Sequence, residues 1–145
     1  MRIITTALSA LALSIAAAPA LSPAFATTTI AQEAEVLKEG TFDGFEGHRG
    51  QGTARIVRDG GRLFLEFEGF RTDRGPDLFV WLADDHVTSN EEGRDVGFTN
   101  IGRLESARAS SQRYALPSGT DADDVGAIVI WCRAFGILFA SAELS

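Results

Sequence analysis

The chain has one cysteine, Cys132, among its 145 residues, so no intramolecular disulfide can hold it together. Exported domains of modest size are commonly stapled by an even number of cysteines. Here the core must suffice, and the thiol must be buried, bound to a metal, paired between chains or chemically used. Histidine is almost as scarce, with His48 and His86 the only two, and the one methionine is Met1. A structural zinc site built from four Cys or His ligands is therefore short of ligands. Asp121-Ala122-Asp123-Asp124-Val125-Gly126 opens like a calcium loop, but Val125 stands at its fifth position and Cys132 at its twelfth, where a bidentate glutamate is required. No Gly-x-Ser-x-Gly elbow, phosphate loop, zinc-protease helix or Cys-x-x-Cys-His haem attachment is present, and nothing marks a hydrolase or a transferase. Basic residues are outnumbered, 13 against 20 acidic ones, for a net charge of -7. Such a surface repels phosphate backbones and anionic lipid heads, which excludes nucleic acid as the expected partner.

The N-terminus carries a single charge, Arg2, followed by an uncharged Ala/Leu/Ile-rich run from Ile3 to Ala20 and the small-x-small tripeptide Ala24-Phe25-Ala26. That layout predicts a signal peptide over 1–26, cut after Ala26, with Ala18-Pro19-Ala20 as a weaker site. Pro19, Pro23 and the polar Thr27 to Thr29 argue against a stable membrane span. The expected location is thus periplasmic or extracellular. Residues 27–39 read as a leader whose Ala, Gln and Glu content permits a helical turn or disorder, and 40–145 as one β domain.

From Gly40 onward short apolar runs alternate with Gly, Asp, Asn and Pro, as in an antiparallel β domain. The predicted strands are Thr41 to Phe45, Gly52 to Arg58, Arg62 to Phe70, Asp77 to Ala83, Gly102 to Ser106, Gln112 to Leu116, Ala127 to Arg133 and Gly136 to Ala142. Asp59-Gly60-Gly61 is a hairpin signal, because both glycines accept positive φ cheaply. Leu63, Leu65 and Phe67 share one face of their strand. Leu78, Val80 and Leu82 alternate with Phe79, Trp81 and Ala83, and Ile128, Ile130 and Cys132 with Val129, Trp131 and Arg133, so both of these strands look buried on two faces. The fold class is all-β: a sandwich or flattened barrel of about eight strands. Asp84 to Phe98 reads as an exposed acidic loop.

Several segments together resemble the DM-thirteen domain, the Skeletor-type domain proposed to act in electron transfer: Phe45-Glu46-Gly47-His48 with Gly52-Thr53-Ala54, Gly75-Pro76-Asp77-Leu78-Phe79-Val80-Trp81-Leu82, Gln112-Arg113-Tyr114-Ala115-Leu116-Pro117, and Val129-Ile130-Trp131-Cys132-Arg133-Ala134-Phe135. The resemblance covers Gly40 to Leu144. It implies a β-rich extracytoplasmic module, often found beside haem-binding or other redox domains, whose cysteine, here Cys132, is suspected of redox activity. On a redox reading of this chain, His48, Trp131, Phe135 and Asp77 are the candidate supporting residues, and a redox protein or a small ligand the candidate partner.

Each motif also has a packing explanation. Gly75-Pro76-Asp77 suits a turn whose carboxylate caps nearby amides. Trp131 and Phe135 suit sheet packing, His48 a glycine-rich turn, His86 a solvated loop, and Cys132 an apolar layer. Two cofactor readings stay open without a complete motif: a noncovalent haem held axially by His48, and a copper ion held by Cys132, His48 and His86. Two functions follow from different classes, a redox module using Cys132 and a noncatalytic ligand-binding or adhesion module in which Cys132 is packed.

Overall fold

The computed structural model describes residues 33–145. The predicted signal peptide and residues 27–32 of the leader lie outside the described residues. Eight strands form one sheet: β1 Glu35–Gly44, β2 Gly50–Asp59, β3 Arg62–Thr72, β4 Leu78–Ala83, β5 Phe98–Arg103, β6 Ser111–Ala115, β7 Ala127–Cys132 and β8 Ile137–Glu143. A six-residue helix, α1, spans Asn90–Asp95. The strand order is β5-β4-β7-β8-β1-β2-β3-β6, all pairs are antiparallel, and the sheet curls into a nearly closed, flattened barrel. This is the all-β class expected from the sequence.

Each of the eight predicted strands overlaps an observed one, six of them to within two residues at either end, and the first and fifth differ more. The first begins at Glu35 inside the expected leader, because Glu35 to Thr41 pair with β2 while Phe42 to Gly44 pair with β8. The fifth runs Phe98–Arg103 rather than Gly102 to Ser106, sharing only Gly102 and Arg103 with the expected strand, because Phe98 to Arg103 are the residues that pair with β4. The Gly60-Gly61 turn has φ of 56° and 79° and joins Asp59 to Arg62, the two-residue primed hairpin that the dipeptide encodes.

The alternation sorts into two apolar clusters. Inside the barrel lie Phe42, Leu65, Phe67, Phe70, Val80, Ile128, Ile130, Cys132 and Phe139 with their neighbours. Phe42, Phe67 and Phe70 meet with ring centroids 4.8 to 5.0 Å apart, contacts worth about 0.5–1.5 kcal/mol each beyond area burial. On the outer face of β4, β7 and β8 lies a second cluster, Phe79, Trp81, Val87, Val129, Trp131 and Leu138. The double burial of β4 and β7 follows from this second layer.

What covers that outer layer is the segment expected to be a free loop. Val87 is fully buried, and Gly93 of α1 lies so close to the Trp131 ring that a Cβ there would sit 2.5 Å from the indole carbon Cζ3. Ser89 caps the helix by accepting from the Glu92 amide, and Asn90 Oδ1 accepts from the Leu138 amide at 2.6 Å, tying α1 to β8. The acidic side chains face water, while a few small and apolar residues hold the segment down as a lid.

Candidate functional site

Cys132 ends β7, in register with Leu78 on one side and Ile137 on the other. It is 0% exposed and belongs to the inner cluster, in phase with Ile128 and Ile130. The thiol is therefore packed as a small apolar group, out of reach of any dissolved reagent.

His48 closes the turn after β1, its amide donating to the Phe45 carbonyl at 2.8 Å. Its ring stacks on Phe139 at 3.9 Å and 12°, and Nδ1 lies 3.7 Å from Asp73 Oδ2. Phe139 shares the inner cluster with Cys132. No hydrogen bond or ion pair among the described residues joins His48 to Cys132. His86 stands elsewhere, with Nδ1 3.9 Å from Glu143 Oε2. That nitrogen is buried without a hydrogen-bond partner, which departs from the solvated loop histidine expected. The three residues of the copper reading are thus not brought together, and among the described residues no three of His, Cys, Asp or Glu are grouped to hold a metal ion.

Trp131 is buried, but on the outer face, opposite in phase to Cys132. Its indole stacks on Trp81 at 4.9 Å and 20°, and Trp81 stacks on Phe98 at 3.8 Å and 12°. Phe98 is 45% exposed, so three rings form a continuous stack from the surface to the lid. Trp81 Nε1 is buried and has no hydrogen-bond acceptor within reach. Trp81 and Phe98 were not singled out from the sequence. The available signal was that the chain's two tryptophans share one phase of the two doubly buried strands.

Phe135 corrects the expectation of sheet packing: it is 63% exposed. Strand β7 has already ended, and the Gly136 amide donates to the Cys132 carbonyl at 2.8 Å to close a turn that lifts the ring into solvent.

Asp77 does not cap amides. Its carboxylate accepts from Arg103 Nη2 on one oxygen and from Arg133 Nε, at 2.8 Å, on the other. Both guanidinium groups also lie over the Phe79 ring. The Arg103 hydrogen bond is the main cause that holds the Asp77 carboxyl below its ordinary value; partial burial opposes it, and the Arg133 bond adds to it. Arg133 points to the face opposite Cys132, as strand alternation requires, and does not approach the thiol.

The family model described as electron transfer DM13 matches residues 41–144. No curated protein and no solved structure matches the chain.

Proposed function

The chain belongs to the DM13 electron-transfer family, and from that premise we propose that it is an exported one-electron module whose conducting element is the Phe98–Trp81–Trp131 stack. The observation that carries this reading is the contrast along β7: Cys132 is sealed inside the barrel, while its neighbour Trp131 joins a ring system that reaches the surface. Thiol–disulfide exchange needs a thiolate to contact the sulfur it attacks. In the folded state nothing can meet the Cys132 sulfur. An electron needs no such contact.

The step is simple. A high-potential one-electron oxidant, docked at Phe98, takes one electron from the indoles of Trp81 and Trp131 and leaves an indole radical cation; a one-electron donor restores it, and no bond is made or broken. Trp81 Nε1–H faces no acceptor, so a cation on Trp81 has no protein base to which it can lose its proton. That favours return of the electron over side reactions.

Flash photolysis with a photo-oxidised ruthenium complex tests the reading. Transient indole oxidation, reversed by an added donor, is expected in the native protein and in Cys132→Ala. It should be slowed in Phe98→Ala and abolished in the Trp81→Phe/Trp131→Phe double variant. Loss of reversible electron exchange in Cys132→Ala alone would overturn the ring-stack reading and restore Cys132 as the redox group. If no variant differs from wild type, the noncatalytic binding module, which the complete burial of Cys132 favours, becomes the function.

A further inference from the structure

A cleft of about 280 Å³ opens between the segment joining β3 to β4 and the segment joining β5 to β6. Arg74 lines it from the first segment, Arg108 from the second and Arg103 from the end of β5, with Leu78 and Leu104 as apolar lining. Glu105 is the one acidic residue among those lining it. With Arg103 paired to Asp77, Arg74 and Arg108 against Glu105 still leave the cleft locally positive on a chain whose overall charge is -7.

The cleft is held together by backbone. The Thr72 amide donates to the Ala107 carbonyl and the Leu104 amide to the Leu78 carbonyl, both at 2.9 Å, which fixes the two walls relative to each other. Asp77 accepts a hydrogen bond from Arg103 Nη2 and so fixes that guanidinium beside the cleft. Arg74 and Arg108 have no carboxylate partner within ion-pair distance among the described residues, in contrast to the paired Arg55, Arg58 and Arg113. Arg74 and Arg108, unpaired guanidinium groups lining a concave surface, focus the field there, and their planar forks match carboxylate and phosphate oxygens two at a time.

We infer that this cleft binds a small organic anion bearing two or more carboxylate or phosphate groups, with its apolar part against Leu78 and Leu104. The motif Gly75-Pro76-Asp77 then has a role that neither turn formation nor electron transfer assigns it: Gly75 and Pro76 form part of the wall, and Asp77 orients Arg103. The inference does not depend on the electron-transfer reading and stands if that reading fails.

Calorimetric titration of the folded protein with citrate, inorganic phosphate and acetate at low ionic strength tests it. Citrate or phosphate should bind at least about tenfold more tightly than acetate, a difference of about 1.4 kcal/mol. Arg74→Gln and Arg108→Gln should each weaken the tighter ligand about fivefold, and Glu105→Gln should strengthen it, since each change alters the charge that the anion meets. Arg62→Gln, at the other end of β3, should leave binding unchanged. Preference for phosphate identifies a phosphorylated ligand, and preference for citrate a polycarboxylate. The inference fails if no saturable binding occurs, or if Arg62→Gln weakens binding as much as Arg108→Gln, because the attraction would then belong to the whole surface.

Discussion

At Asp77 one carboxylate serves two guanidinium groups, and the sign of its pH dependence follows. Its folded-state pKa lies below the ordinary 3.8, so the unfolded chain binds the proton more readily and the pairing stabilises the fold at higher pH. Asp77→Asn should therefore be less stable than wild type near neutral pH, with the gap narrowing as pH falls below about 4 and closing once the folded-state carboxyl is protonated. Urea melts of both proteins across that range check it, and a gap that persists in strong acid would mean that the carboxylate's charge is irrelevant. None of this was legible from the sequence. Arg103 and Arg133 are 26 and 56 residues away from Asp77, and only the pairing of β4 with β5 and β7 brings them together. The phase of Cys132, by contrast, was readable, since alternation with Ile128 and Ile130 already placed it on an apolar face.

Among the elements, the lid over the outer cluster is the one most open to a single change. Gly93 touches the Trp131 ring so closely that Gly93→Ala must lift α1 or shift the indole. A cost of about 1–3 kcal/mol is expected for such overpacking, together with a change in tryptophan fluorescence, because the strain falls directly on the stack. Denaturant melts with fluorescence detection read both effects. Unaltered emission with full stability would show that the lid does not press on the ring. Strands such as β3 and β6 were legible because they carry a two-residue period, β4 and β7 because they are apolar throughout, and the Gly60-Gly61 turn fixes one register outright; β5, exposed along most of its length and without a period, was misplaced. The helix was not, because Asn90–Asp95 is under two turns long and its anchors, Val87 and Gly93, are single small residues among acids. The start of β1 was hidden in the same way, since Glu35-Val36-Leu37-Lys38 lacks a run of β-branched or aromatic residues and takes its conformation from pairing with β2.

For the whole molecule, the reading as an exported module makes a direct prediction. Protein recovered from the extracytoplasmic fraction should have the intact mass of a chain beginning at Thr27, because Ala24-Phe25-Ala26 is the best cleavage pattern; retention of Met1 to Ala26 would refute it. The architecture also dictates how long the barrel takes to assemble. Strand β1 pairs with β2, its neighbour in sequence, and with β8, which lies at the far end of the domain. Local hairpins such as β1–β2–β3 can form early, whereas the β1–β8 seam must wait for a long loop to close, and folding dominated by such non-local pairing is slow, in the range of about milliseconds to seconds. Cys132 sits on β7, between β4 and β8, and its face belongs to the interior cluster with Phe42, Leu65 and Phe67 of β1 and β3, so its full burial requires both halves of the barrel to have come together. The lone sulfur is thus a built-in clock for assembly. In a pulse-labelling experiment during refolding, its loss of reactivity toward a thiol reagent should lag behind formation of the β2–β3 hairpin, and on the reading as an exported module a chain not yet folded would expose to oxidants the very group that the finished barrel conceals.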